Sequence, residues 1–140
     1  VIEIEIEGLR RMSDHLNGHL IEAVKILQHT LEHRGKIVVI GVGKSGNIGH
    51  KIAATFNSTG ATAVVLDSQN ALHGDLGLLS DGDAVLALSY SGETRELLDL
   101  LPFMRRFEIK LIALTGKSNS TLSRFSEAIL DTPDSIPAVR

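Results

Sequence analysis

The sequence contains no cysteine. That excludes a disulfide scaffold, a thiolate zinc site and a cysteine nucleophile. It also lacks a basic run: 14 Lys and Arg stand against 17 Asp and Glu, a net charge of -3. Nucleic acid is therefore not the expected partner. No apolar stretch approaches the roughly 18–20 residues of a membrane span, and the N-terminus has no secretory-signal pattern. There is no internal repeat and no low-complexity linker. What is present is 140 residues, 43% of them apolar, enough for the core of one domain and too apolar for a disordered tail. A single soluble cytoplasmic domain over residues 1–140 is the expectation, with a helical segment over residues 1–34. The sequence opens at Val1, not at a methionine, and stops at Pro137-Ala138-Val139-Arg140. It reads as a piece of a longer protein.

Hydrophobic periodicity organises the rest. Val1 to Glu7 alternates apolar and acidic residues, a strand pattern, but Ile2, Ile6, Leu9 and Leu16 also fit a helical stripe, and helix is preferred. Leu20, Val24, Leu27 and Leu31 predict one apolar helix face, with Gly35 ending that helix. Ile37-Val38-Val39-Ile40 is a continuous β-branched run, as expected of a strand buried on both faces. Further strands are expected at 61–66, 84–88, 110–114 and 128–130. Helices are expected near 47–57, with Ile48, Ile52 and Phe56 on one face, and around Leu97, Leu98 and Leu101, where Pro102 kinks or restarts the helix. Another short helix is expected near 120–125. Alternating strands and helices with short connections predict an α/β fold: a parallel sheet covered on both faces, with ligands at the carboxyl ends of the strands.

The loop after the first strand is Gly41-Val42-Gly43-Lys44-Ser45-Gly46. It is not a Walker A loop, because the first glycine of that motif would fall on Val38. It does match the dinucleotide fingerprint at Gly41, Gly43 and Gly46, with Asp67 placed for a ribose hydroxyl. Lys44 suits a compact anion better than a pyrophosphate, and a tight turn alone does not account for it. After the third strand, Ser89-Tyr90-Ser91-Gly92-Glu93-Thr94 sets three hydroxyls beside a glycine and a helix start. Such a group either caps the helix or holds an anion. Leu72-His73-Gly74-Asp75-Leu76-Gly77 is a glycine-bracketed loop carrying a histidine and an acid. Glu96, early in the helix after the serine loop, either serves the helix dipole or acts as a base beside a sugar carbonyl. His15/His19 and His29/His33 are i, i+4 pairs with no third ligand suggested, so they read as solvated faces and no metal is expected; His50 reads as surface.

Together, Gly41 to Gly46, Lys51-Ile52-Ala53-Ala54-Thr55, Ser58-Thr59-Gly60, Leu72 to Gly77, Ala87 to Thr94 and Leu114-Thr115-Gly116 resemble the SIS (sugar isomerase) domain, and within it the arabinose-5-phosphate isomerase family. The likeness runs from about Leu20 to Leu130. It implies a three-layer αβα sandwich around a five-stranded parallel sheet, flavodoxin-like or Rossmann-like. It implies interconversion of D-arabinose 5-phosphate and D-ribulose 5-phosphate without a cofactor, feeding 3-deoxy-D-manno-octulosonate for lipopolysaccharide or capsule. Carried over residue by residue, Lys44, His73 and Glu96 become catalytic, and Gly43, Ser45, Ser89, Ser91 and Thr94 bind the phosphosugar. Family sites form between subunits, usually in a tetramer, so self-association is expected. The family's tail does not match residues 131–140, where its acid would fall near Pro137, and no CBS domains are present, so the sequence reads as truncated at its C-terminus. Two other readings stand: a non-catalytic phosphosugar-binding SIS module and, third, an NAD-binding domain.

Overall fold

A computed structural model describes residues 1–16 and 18–132 of the chain. The tail from Pro133 onward, Pro137 included, lies outside the described residues. Two helices, α1 (Ile2–Asp14) and α2 (Gly18–Glu32), precede β1 (Ile37–Gly41), α3 (Lys44–Ser58) and β2 (Ala63–Leu66). Then come α4 (Ser68–Ala71), a 3-10 turn (Asp75–Leu78) and β3 (Ala84–Leu88). The chain continues through α5 (Arg95–Leu98), α6 (Leu101–Met104), β4 (Lys110–Thr115), α7 (Thr121–Arg124) and β5 (Ala128–Asp131). Pro102 sits in the first turn of α6, so the expected helix is restarted.

All strand pairs are parallel, and the order is β2-β1-β3-β4-β5. The expected five-stranded α/β sandwich is therefore the observed one. Alternation along β1 splits the core in two. Val38 and Ile40 join Leu66, Ala71, Leu97, Leu100 and Leu122 on one face. Ile37 and Val39 join Ala23, Ile26, Ala53 and Ala84 on the other. Both ends of β1's apolar run are fully buried, as the unbroken β-branched sequence requires.

The expected helix faces hold in part: Leu27 and Leu31 on α2 and Ile52 and Phe56 on α3 pack, partly buried, against the second cluster. On α2 the inward residues are Ala23, Ile26 and Thr30, while Val24 is exposed. On α3 they are Gly49 and Ala53, while Ile48 is exposed. The reason is close approach: a Cβ on Gly49 would lie 3.1 Å from Val39 Cγ1. Small residues form the seam and the larger ones flank it. Gly35 does not supply the left-handed turn after α2; Arg34 does, at φ 63°. Gly35 is needed for space instead, because a side chain there would collide with the Gly82 carbonyl. The second strand starts at Ala63, two residues later than expected, where the Asn57 side chain accepts from Ala63 N at 2.9 Å and donates to its carbonyl at 2.8 Å.

At the amino edge of the sheet Asp83 is 3% exposed. Its carboxylate accepts from Lys36 Nζ (2.6 Å), Lys36 N (3.1 Å) and Ser80 N (2.8 Å). It thus joins the starts of β1 and β3. Asp83→Ala leaves the ammonium and two amides without their acceptor; unfolding in urea should show a loss of about 2–4 kcal/mol.

Candidate functional site

The order β2-β1-β3 places a topological switch between β1 and β3. From β1 the chain leaves through α3 toward β2; from β3 it leaves through α5 and α6 toward β4. The loops that diverge there open a crevice at the carboxyl ends of the strands. They are the glycine loop and the serine loop. Their strands end level, with Gly41 opposite Leu88.

The glycine loop is tight because α3 starts almost at once. A Cβ on Gly41 would approach the Ser45 backbone to 2.7 Å. Gly43 takes φ 59° and caps α3 with no side-chain bond. Helix α3 begins three residues earlier than expected, so Lys44 and Ser45 lie in its first turn, where backbone amides lack intrahelical acceptors. Lys44 is exposed there.

The serine loop is built differently. Ser89 is 2% exposed, and its Oγ accepts from Gly92 N at 3.0 Å and lies 2.7 Å from Thr94 Oγ1. With Ser89 as donor in that pair, the Thr94 hydroxyl keeps its own proton to offer outward. Ser91 Oγ accepts from Glu93 N at 3.1 Å and likewise keeps a donor. Ser89 therefore supports the loop, while Ser91 and Thr94 are its outward hydroxyls.

Four contacts fasten this loop to the end of β4 and the segment after it. Tyr90 O accepts from Thr115 Oγ1 (3.2 Å) and Gly116 N (3.0 Å). Leu122 N donates to Gly92 O at 3.1 Å, and Thr121 N donates to Glu93 Oε1 at 2.7 Å. Gly92 adopts φ 64° directly against Ser120, and Gly116 lies under the Tyr90 ring. Glu93, to which sequence reasoning assigned no role, is committed to this junction. Its partner lies 28 positions away, and nothing local reveals such a pairing. The amide of Thr121, then its side chain, then Arg124 hold the Glu93 carboxyl below the usual carboxylate range.

His73 follows α4, which crosses from β2 and packs against α5. Ala71 and Leu97 share one apolar cluster, so the histidine loop and the Glu96 helix meet on the same side of the sheet. Lys44, His73 and Glu96 are all exposed, and none makes a side-chain hydrogen bond or ion pair among the described residues. They are uncommitted groups, unlike the hydroxyls of the serine loop. Asp67 is the reverse: its carboxylate caps α4, accepting from Gln69 N (2.9 Å) and Asn70 Nδ2 (3.1 Å). That competes with the ribose role and disfavours the dinucleotide reading. A cleft of about 350 Å³ lies beside it, lined by Gly41, Gly43, Asn47 and His50. The paired histidines bind backbone or one another: His15 Nδ1 lies 2.7 Å from Arg11 O, His19 Nδ1 accepts from Ile129 N at 3.3 Å, and His29 and His33 stack at 4.0 Å.

The SIS domain profile matches residues 30–138. The chain belongs to the SIS domain family. SIS relatives include the arabinose 5-phosphate isomerase KdsD of Salmonella typhi, 41% identical over 130 residues, covering 93% of this chain and 39% of that protein. The arabinose 5-phosphate isomerase GutQ of Escherichia coli K12 is 41% identical over 128 residues, covering 91% and 39%. The chain thus spans about two-fifths of the length of these curated relatives. A solved SIS structure, c3406 of E. coli CFT073 in complex with arabinose 5-phosphate, superposes with a TM-score of 0.86 at 36% identity, over 94% of this chain and 69% of that one. None of the described helices is long and apolar enough to cross a membrane.

Since Gly92 combines a left-handed backbone with direct contact to Ser120, Gly92→Ala should lower stability by about 1–3 kcal/mol. The check is a denaturant midpoint shifted downward with an unchanged slope.

Proposed function

We propose that this chain is the sugar-phosphate-isomerising part of a cytoplasmic aldose–ketose isomerase. It interconverts D-arabinose 5-phosphate and D-ribulose 5-phosphate on the route to 3-deoxy-D-manno-octulosonate. The observation that carries the proposal is the contrast at the crevice. Lys44, His73 and Glu96 are exposed and uncommitted, while the hydroxyls of the serine loop are fixed in place. The 41% identity to arabinose 5-phosphate isomerases over nine-tenths of the chain supports the choice of substrate.

Ser91 and Thr94 donate to the phosphate, with Ser89 behind them, while Gly43 and Ser45 bring the first-turn amides of α3 to the same anion. The sugar then extends toward His73 and Glu96. His73 opens the ring by moving a proton between the ring oxygen and the anomeric hydroxyl. Glu96 takes the proton from C2 of the open aldose, and the electron pair forms the C1–C2 double bond of an enediolate. The proton returns to C1, and the O2 proton passes to O1, which leaves the ketose. Lys44 stabilises the negative charge that grows on the oxygens during this step. No redox partner is consumed.

Incubation with arabinose 5-phosphate should yield ribulose 5-phosphate. Glu96→Gln should slow it by about 10²–10⁴-fold, the usual range for general acid–base catalysis. Retention of the wild-type rate of C2–hydrogen exchange with solvent in that variant removes Glu96 as the base. Binding without turnover or exchange identifies a phosphosugar-binding module instead.

Self-association belongs to the same proposal. Helix α1 has no buried residue, and Ile2, Ile6 and Leu9 are exposed along it, followed by Ile21 and Val24 on α2. An apolar stripe of this kind is covered in a stable protein, here by a second copy. The double substitution Ile6→Glu with Leu9→Glu should lower the mass measured by sedimentation; an unchanged mass excludes α1 from the contact.

A further inference from the structure

We infer that Glu93 is a positioning residue, whose carboxylate clamps the serine loop to α7 and so holds the phosphate-binding hydroxyls in their receiving geometry. The inference rests on the sugar-phosphate reading of that loop proposed above.

The starting point is an anomaly of charge. A loop suited to an anion carries an acidic residue between its two outward hydroxyls, Ser91 and Thr94. A carboxylate facing the phosphate would oppose binding. The structure turns it away: Glu93 Oε1 accepts from the Thr121 amide at 2.7 Å, at the first residue of α7. One residue earlier, Gly92 O accepts from Leu122 N at 3.1 Å. Two neighbouring residues of the serine loop thus grip two neighbouring residues of α7. The grip also covers needs of α7 itself. Ser120 Oγ accepts from Ser123 N at 3.3 Å, and Glu93 takes Thr121 N, an amide that a cap on Ser123 leaves open.

The backbone of Glu93 matters equally. Its amide donates to Ser91 Oγ at 3.1 Å and orients that hydroxyl. Thr94, the next residue, shares a 2.7 Å contact with Ser89. Fixing Glu93 therefore fixes a donor on each side. The carboxyl is held ionised by the Thr121 amide and by Arg124, and the sign follows. The clamp is fully formed above the ordinary carboxylate range and is lost as the pH falls through the lowered pKa of the folded state.

The test uses the ¹⁵N-labelled chain as wild type, Glu93→Gln and Glu93→Ala. Backbone amide shifts of Ser91–Thr94 and Thr121 are followed during titration with arabinose 5-phosphate and, separately, with inorganic phosphate. In Glu93→Ala the Kd for arabinose 5-phosphate should rise roughly tenfold, since small misplacement of positioning groups is costly, while Tm moves by only a few degrees. Glu93→Gln, which keeps an acceptor for Thr121, should recover part of the loss. The Thr121 amide should show an acid titration in wild type and none in Glu93→Gln.

An unchanged Kd in Glu93→Ala, with the loop amides responding as in wild type, overturns the positioning role alone. So does a wild-type Thr121 amide that ignores acid pH. If neither ligand shifts Ser91–Thr94 in wild type, the sugar-phosphate reading itself falls and the inference falls with it.

Discussion

The pairing of β1 with β3 runs from Ile37 opposite Ala84 to Gly41 opposite Leu88. In sequence the two strands are separated by α3, β2 and α4; in space they are adjacent and buried at the centre of the sheet. The glycine loop and the serine loop diverge from their level ends. Had β1 instead neighboured only β2, the glycine loop and the serine loop would not emerge side by side. The Asp83 carboxylate secures the opposite edge of this pair, holding Lys36 before β1 and Ser80 before β3. One buried acid at the amino end thus keeps the glycine loop and the serine loop aligned at the carboxyl end.

Much of this was legible in the residues. The β-branched run at 37–40 gave a central strand, and the alternation of elements gave a parallel sheet. The loop residues carried a family likeness that the SIS match bears out. The helix faces were less legible. Ile48 and Val24 satisfied the periodicity and are exposed, because the seams are set by Gly49, Ala53 and Ala23, residues that a search for large apolar side chains passes over. By its type Gly35 suggests a helix stop. Its function is steric clearance from the Gly82 carbonyl, a contact 47 positions away that local pattern does not contain.

The candidate site shows the same division. Chemical types were readable: a lysine in a glycine turn, hydroxyls in series, a histidine between glycines. Commitments were not. The Asp67 carboxylate is spent on α4, and the Ser89 hydroxyl is spent within its own loop. The Glu93 carboxylate is spent on α7. Lys44, His73 and Glu96 have no such engagement among the described residues. A residue's availability depends on what the tertiary fold has already asked of it, and that separates groups that meet a ligand from groups that hold the floor beneath it.

The tie between the serine loop and the turn after β4 has a consequence for the energetics of recognition. Tyr90, Gly92 and Glu93 are bonded to residues on the far side of a βα unit, so the loop takes its shape when β4 docks beside β3. Its conformational entropy is therefore surrendered during folding, before any ligand arrives. In the proposed phosphosugar role, a ligand meeting such a loop has little left to order. Selectivity then comes from how well the incoming anion matches a fixed set of donors, and an ill-fitting anion finds little give in the loop with which to improve its fit.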